Sequence, residues 1–350
     1  MIDLNTLVRD NIRSLKPYSS ARDEFQGSAE IYLDANENAI GSPLDVALNR
    51  YPDPQQRLLK EKIGALKNIA PDKIFLGNGS DEAIDLLIRA FCEPVRDRIM
   101  IMPPTYGMYP VSAAINNVDV LEVPLTYQFQ IDVENVLSKS APNIHLTFVC
   151  SPNNPSGNLM DEKAIIQLLE NSGGLIVVDE AYIDFSGKPG VLHLIDTYTN
   201  LVVLQTFSKA WGMASMRLGM AFADPVVIKT LTNIKPPYNV NGLTQNHALE
   251  ALNRPEKKEQ MVSELIRQRD ALTTELKKLN MVQHIFSSDA NFLLVRFKNS
   301  DRIFKSLTQQ GIIVRDRSKA LYCENCLRIT VGTEPENIRL LAQLKNLEKE

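Results

Sequence analysis

Cysteine is scarce in this chain, with four in 350 residues. That is too few for a disulfide framework. No apolar run reaches the roughly 18 residues that a membrane-crossing helix needs. Neither sign of charge is in excess: 38 Lys and Arg stand against 42 Asp and Glu, a net charge of −4. Such a balance argues against a broad nucleic-acid footprint, which needs clustered basic residues. The start, Met1-Ile2-Asp3-Leu4-Asn5, carries an early acid and no apolar core segment, unlike a secretory signal. There is no internal repeat and no low-complexity segment. These absences leave a globular protein, expected in a reducing cytoplasm. The one Cys-x-x-Cys, Cys323-Glu324-Asn325-Cys326, has no second pair and no histidine near it in sequence. It reads as a turn before a strand rather than as a metal or redox site.

What the chain does have is a series of short, almost unbroken apolar runs. They are Ile74 to Gly77, Arg98 to Met102, Val120 to Val123, His145 to Val149, Leu175 to Val178, Leu201 to Leu204 and Leu218 to Phe222. Runs that do not alternate with polar residues mark strands buried on both faces, and amphipathic helical patterns lie between them. The expected fold class is α/β, with a large domain built on a mostly parallel central sheet between helices. From Pro255 the pattern changes to a long charged helix, Glu256 to Leu279. Strand-like segments follow at Asn291 to Phe297, Gly311 to Arg315 and Leu327 to Val331, with a final helix after Pro335. That half reads as a smaller α+β domain. The expected boundaries are 1–40 for an irregular, polar arm with part of the smaller domain, 41–254 for the large domain and 255–350 for the small one.

Ligands of such sheets sit beyond the carboxyl ends of the strands, and five segments fall there. Gly77-Asn78-Gly79-Ser80-Asp81-Glu82 opens a helix whose free N–H groups suit a phosphate; an ordinary capped helix would look the same. Tyr106, in Pro103-Pro104-Thr105-Tyr106-Gly107, is placed to stack on a planar ligand or to pack in the core. Asn154 sits in the rigid turn Ser151 to Gly157 and offers an amide at a fixed point. Asp179, at the head of Asp179-Glu180-Ala181-Tyr182, is an acid directly after a buried strand, which demands a partner. A cationic ring nitrogen or a structural ion pair would both serve. Lys209, in Thr206-Phe207-Ser208-Lys209-Ala210, ends another buried run, with Arg217 eight positions on (217 − 209 = 8). Shielding and a neighbouring cation would lower its pKa and free an amine able to form a Schiff base. A phosphate cradle, an aromatic plate, an amide donor, a buried carboxylate and an amine nucleophile together match the needs of pyridoxal phosphate.

On these segments the chain resembles the fold-type-I pyridoxal-phosphate aminotransferases. Leu33-Asp34-Ala35-Asn36-Glu37-Asn38, Arg50-Tyr51-Pro52-Asp53-Pro54 and Cys326 to Gly332 narrow the resemblance to the histidinol-phosphate aminotransferase family. The resemblance implies pyridoxal 5'-phosphate as cofactor, carried by Lys209, with Asp179 and Tyr182 as further catalytic residues. It implies Gly79, Ser80, Asp81, Tyr106, Asn154, Thr206, Ser208 and Arg217 around the cofactor, and Tyr51 reaching it from the other subunit of a homodimer. Tyr18, Asn36, Arg315 and Arg328 are implied to bind substrate. The implied substrates are histidinol phosphate, glutamate and 2-oxoglutarate. An aromatic aminotransferase or a threonine-phosphate decarboxylase of the same fold would look much alike. A regulator with an aminotransferase-like domain is less expected, because little sequence precedes Leu15 to hold a DNA-binding module. A non-catalytic binding protein is less expected too, since Lys209, Asp179 and Asn154 are all present. Ser215 stands where the family often has glycine, in a loop expected to turn tightly.

Overall fold

A computed structural model describes residues 3–18 and 30–349. All seven apolar runs form strands of one sheet: β1 Ile74–Asn78, β2 Arg98–Ile101, β3 Asp119–Glu122, β4 Ile144–Cys150, β5 Leu175–Asp179, β6 Leu201–Thr206 and β7 Leu218–Ala223. Their order is β1-β7-β6-β5-β4-β2-β3. Pairing is parallel from β6 to β3, whereas β7 runs antiparallel to both β1 and β6. Successive residues of a strand point to opposite faces, and here they feed separate cores. Ile176 and Val178 join one apolar cluster, while Leu175 and Val177 join the other. Burial on both sides is why these strands are apolar throughout.

This topology gathers chemistry at one edge. The carboxyl ends of β1, β4, β5 and β6 all lie there. Because β7 is reversed, its amino end arrives at the same edge and brings Arg217 with it. The sheet therefore places Asn78, Cys150, Asp179, Thr206 and Arg217 along a single rim.

The second sheet is antiparallel, in the order β10-β11-β9-β8. It comprises β8 Val282–Ile285, β9 Phe292–Phe297, β10 Arg315–Asp316 and β11 Cys326–Thr330. Helices Pro255–Leu276, Ser300–Gln309 and Glu334–Lys349 accompany it. Leu272, Leu276, Val295, Phe297, Leu327 and Leu344 form its own core.

Three expectations need correction. Only Arg315 of the Gly311-to-Arg315 run is in a strand. Gly311 is left-handed at φ +71, and the Ile312 N–H bonds back to the Leu307 carbonyl at 2.9 Å. These residues finish the preceding helix instead of starting a ladder. Strand β8 was not expected, because its middle residues Gln283 and His284 are exposed on the sheet edge and hide the apolar signal. Finally, residues 3–13 are not all polar arm. Leu4, Leu7 and Val8 are buried in a core of the large sheet with Phe91 and Val227, and the Arg9 N–H donates to the Ala90 carbonyl at 3.0 Å. The Cys323-to-Cys326 segment is a turn, with the Cys326 N–H donating to the Cys323 carbonyl at 2.9 Å.

Candidate active site

At the shared rim lies a cavity of about 190 Å³, lined among others by Gly79, Tyr106, Asp179, Tyr182, Lys209 and Arg217. Asp179 is the last residue of β5 and is almost fully buried. Its carboxylate accepts from the Tyr109 hydroxyl at 2.8 Å and from the Ala181 N–H at 3.1 Å. Burial still pushes its pKa up to about 6, so it stands ready for a cationic partner.

Lys209 follows β6, and its ammonium nitrogen lies 5.5 Å from the Tyr182 ring centre. Burial, then the Arg328 and Arg217 guanidinium groups, hold its amine below the ordinary lysine value, against the opposing pull of Asp179. Burial pushes the Tyr182 phenol up. Tyr182 packs edge-on against Phe292 of β9, with ring centres 5.1 Å apart.

One end of the cavity is rich in hydrogen-bond donors. Gly79 begins the helix Gly79–Phe91 in a left-handed conformation, φ +73. Its N–H donates to the Arg217 carbonyl at 2.8 Å. A Cβ on Gly79 would lie 2.7 Å from the Arg217 guanidinium, and one on Gly219 would lie 2.1 Å from the Ser80 nitrogen. Both positions need glycine for this approach of β7 to the helix start. The Arg217 guanidinium donates to the Ser208 hydroxyl at 3.4 Å and faces Asp81 at 3.5 Å. Thr206 accepts from the Ser208 N–H at 3.0 Å. Tyr106 donates to Asp81 at 3.1 Å and meets the Tyr109 ring edge-on.

The other end reaches the smaller sheet through Asn154. Its amide nitrogen lies 3.5 Å from the Tyr182 oxygen, and its amide oxygen accepts from the Arg328 guanidinium. Arg328 sits over the Phe292 ring, 5.2 Å from its centre. Arg315 pairs with Arg328 across the β10–β11 ladder.

A family model described as aminotransferase class I and II matches residues 34–344. The chain belongs to the class I and II aminotransferases. Two similar proteins carry the name histidinol-phosphate aminotransferase. The Cytophaga hutchinsonii protein is 54% identical over 342 residues, covering 98% of each chain. The Parabacteroides distasonis protein is 50% identical over 347 residues, covering 99% of each. Among solved structures, the histidinol-phosphate aminotransferase of Clostridium acetobutylicum superposes with a TM-score of 0.80 at 27% identity, over 86% of this chain and 91% of that one.

In this aminotransferase the fold brings together most of the residues singled out in the sequence. Gly79, Ser80, Asp81, Tyr106, Asp179, Tyr182, Thr206, Ser208, Lys209 and Arg217 all line the cavity. Asn154 and Arg328 join it through their hydrogen bond. Tyr51 and Asn36 do not. They line a separate, larger depression of about 930 Å³, where Tyr51 stacks on Tyr238 with ring centres 4.4 Å apart. Tyr18 is 75% exposed and does not line the cavity. Ser215 lies inside the single turn Ala214–Met216. The left-handed residues of that loop are Gly212, at φ +67, and Arg217, at φ +51, so no glycine is required at 215.

Sequence reasoning gave no role to Tyr109 or Gly219. Tyr109 stands three residues after Tyr106 in the segment beyond β2, and that spacing was the available signal. Gly219, in the middle of an apolar run, offered only the hint that glycine in a strand marks close backbone approach.

Proposed function

We propose that the protein transfers the amino group of L-histidinol phosphate to 2-oxoglutarate, giving imidazole-acetol phosphate and L-glutamate, with pyridoxal 5'-phosphate as cofactor. One observation carries the reading. Asn154 ties the Tyr182 end of a lysine-and-carboxylate pocket to an arginine of the second sheet, so chemistry and anion recognition meet in one cleft. The names of the relatives supply the substrate.

The residues present fit the cofactor. Arg217, Ser208, Thr206 and the helix start at Gly79 to Asp81 would hold its phosphate. Asp179, buried and without a full positive partner, would pair with its ring nitrogen. Tyr106 would lie against the ring, and Asn154 and Tyr182 would bond the ring oxygen. Bound there, pyridoxal phosphate supplies an electron-withdrawing ring that stabilises negative charge on the carbon bearing the amino group.

Lys209 does the proton work. Burial and the neighbouring arginines favour its free amine, which can take a proton from one carbon and return it to another. The lining side chains, Tyr106 and Tyr182 foremost, narrow the water around that amine. Arg328, held by Asn154, would fork onto the substrate anion with Arg315 beside it, and Tyr18, exposed outside the cavity, would join them only by moving inward. Both half-reactions use this one site: the amino donor brings a phosphate ester, and glutamate brings a carboxylate.

The reading extends to a homodimer. Leu44, Val46, Leu48, Tyr51, Leu58 and Leu243 are exposed apolar residues on and around the larger depression, which supports burial by a second copy. Tyr51, and Asn36 near it, would then serve the pocket from that side. The seven-stranded sheet lies within 41–254 and the four-stranded sheet within 255–350, which supports a division at those bounds. Four buried free thiols fit a reducing cytoplasm.

The test is to add histidinol phosphate, phenylalanine or threonine phosphate separately to the cofactor-loaded enzyme. The cofactor's visible absorbance and carbon dioxide release are followed. Rapid conversion by histidinol phosphate without carbon dioxide is expected. Indifference to it would overturn the substrate, and indifference to all amines would overturn the reaction class. In Arg328→Ala both half-reactions should slow; an unharmed glutamate reaction would separate the two anion sites.

A further inference from the structure

Arg317 has no part in the reading above, yet its surroundings are unusual. It stands two residues beyond Arg315, and two residues along a strand bring a side chain back to the same face. Arg315 lies opposite Arg328 in the ladder. The ladder continues one step further, with the Arg317 N–H donating to the Cys326 carbonyl at 2.9 Å. Three arginines therefore share one face of the β10–β11 ribbon. The acid between two of them, Asp316, falls on the other face and accepts from the Ser318 N–H at 2.8 Å.

Nothing among the described residues neutralises Arg317. Its Nε is buried without a hydrogen-bond partner. The groups that act on its charge are Arg328, Arg315, Cys323 and Tyr182, with no carboxylate among them. Burial comes first among the influences that lower its pKa, and the two arginines follow. A half-buried guanidinium beside two like charges is costly until an anion arrives. Arg317 and Arg328 both favour the ionised Tyr182 phenol, in keeping with the ladder face they share.

We propose that Arg317 is a specificity-determining residue: with Arg315 and Arg328 it binds the phosphate of a phosphate-monoester amino donor. This rests on the reading of the Arg328 side of the cleft as the substrate-anion site. A phosphate monoester carries about −1.5 to −2 charge and three acceptor oxygens, whereas a carboxylate carries one charge and two oxygens. A third fork therefore favours the phosphate donor over glutamate, and the site discriminates between its two amino partners by charge.

The experiment uses cofactor-loaded Arg317→Gln and Arg317→Lys. Both half-reactions are measured, and inorganic phosphate is titrated calorimetrically. In Arg317→Gln the ratio of kcat/KM for histidinol phosphate to that for glutamate should fall about tenfold or more, as expected for a lost charge-assisted hydrogen bond. Phosphate affinity should fall with it. Arg317→Lys, which keeps the charge but not the fork, should recover part of both. Equal slowing of the two half-reactions, or a ratio and a phosphate affinity that do not change, would overturn the proposal. Should the unsubstituted enzyme ignore histidinol phosphate, the substrate reading falls by itself. The phosphate titration then decides on Arg317: weaker binding in Arg317→Gln supports the role, and equal binding overturns it.

Discussion

The Tyr109 hydroxyl donates a 2.8 Å hydrogen bond to the Asp179 carboxylate, and both side chains are buried. This bond favours the ionised acid, against the burial that raises it to about 6. In Tyr109→Phe the carboxylate loses its side-chain donor, and its pKa rises further. Activity that needs ionised Asp179 disappears as pH falls through the carboxyl's pKa, which a cationic ring nitrogen beside it would lower in the cofactor-loaded enzyme. The acid limb of the kcat/KM profile should therefore move to higher pH. A limb that stays in place would show that Tyr109 only fills space.

Lys209→Ala should slow proton transfer at the substrate carbon by about 10²–10⁴-fold. Loss of deuterium from that carbon into solvent reports the step directly. Wash-out at the parent rate would assign the proton to another group.

Gly79→Ala sets a methyl group against Arg217 and strains a left-handed residue by roughly 1–2 kcal/mol. Titration of cofactor-free enzyme with pyridoxal phosphate should show weaker binding, as in Arg217→Gln. Because the methyl acts through Arg217, the double variant should lose less than the two single losses combined. Full additivity would mean that Gly79 and Arg217 act separately.

Glu180, next to Asp179, is buried with its carboxyl group accepting from the Val191 N–H at 2.6 Å and the Gln205 amide at 2.9 Å. Burial raises its pKa from 4.5 to about 7. Between those values the folded protein holds a proton that the unfolded chain releases. Its stabilising contribution is complete below about pH 4.5 and is lost as pH rises through 7. Glu180→Gln has no such dependence. Denaturant unfolding from pH 4.5 to 8 should shift in favour of the variant, by on the order of 3 kcal/mol. A difference that is flat with pH would show that Glu180 is ionised throughout.

The large sheet was readable because its strands are buried on both faces and show it as unbroken apolar runs. Lys209, Asp179 and Asn154 were readable for a related reason: polar groups at the ends of such runs have few structural uses. Tyr109 was not, since its partner lies 70 residues away (179 − 109 = 70) and only the pairing of β2 with β4 and of β4 with β5 brings them together. Strand β8 was hidden by its exposed edge, and the end of the Ser300–Gln309 helix imitated a strand because Ile312 and Ile313 are apolar. Arg317 lacked a signal of its own, as arginines in polar loops are usually solvated. Its unpartnered Nε emerges only with the ladder in place.

The β7 reversal described above also governs when the cofactor site comes into being. Gly79 and Arg217 stand 138 residues apart (217 − 79 = 138), and the 2.8 Å bond between them forms only where β1 and β7 pair. Half of the proposed phosphate cradle is made early in the sequence and half late. A nascent chain that has released residues up to Lys209, but not yet Arg217 and β7, carries Asp179 and the lysine without a closed cradle. If that cradle holds the cofactor, its acquisition would mark completion of the sheet, and its colour would serve as a clock for the last strand to dock.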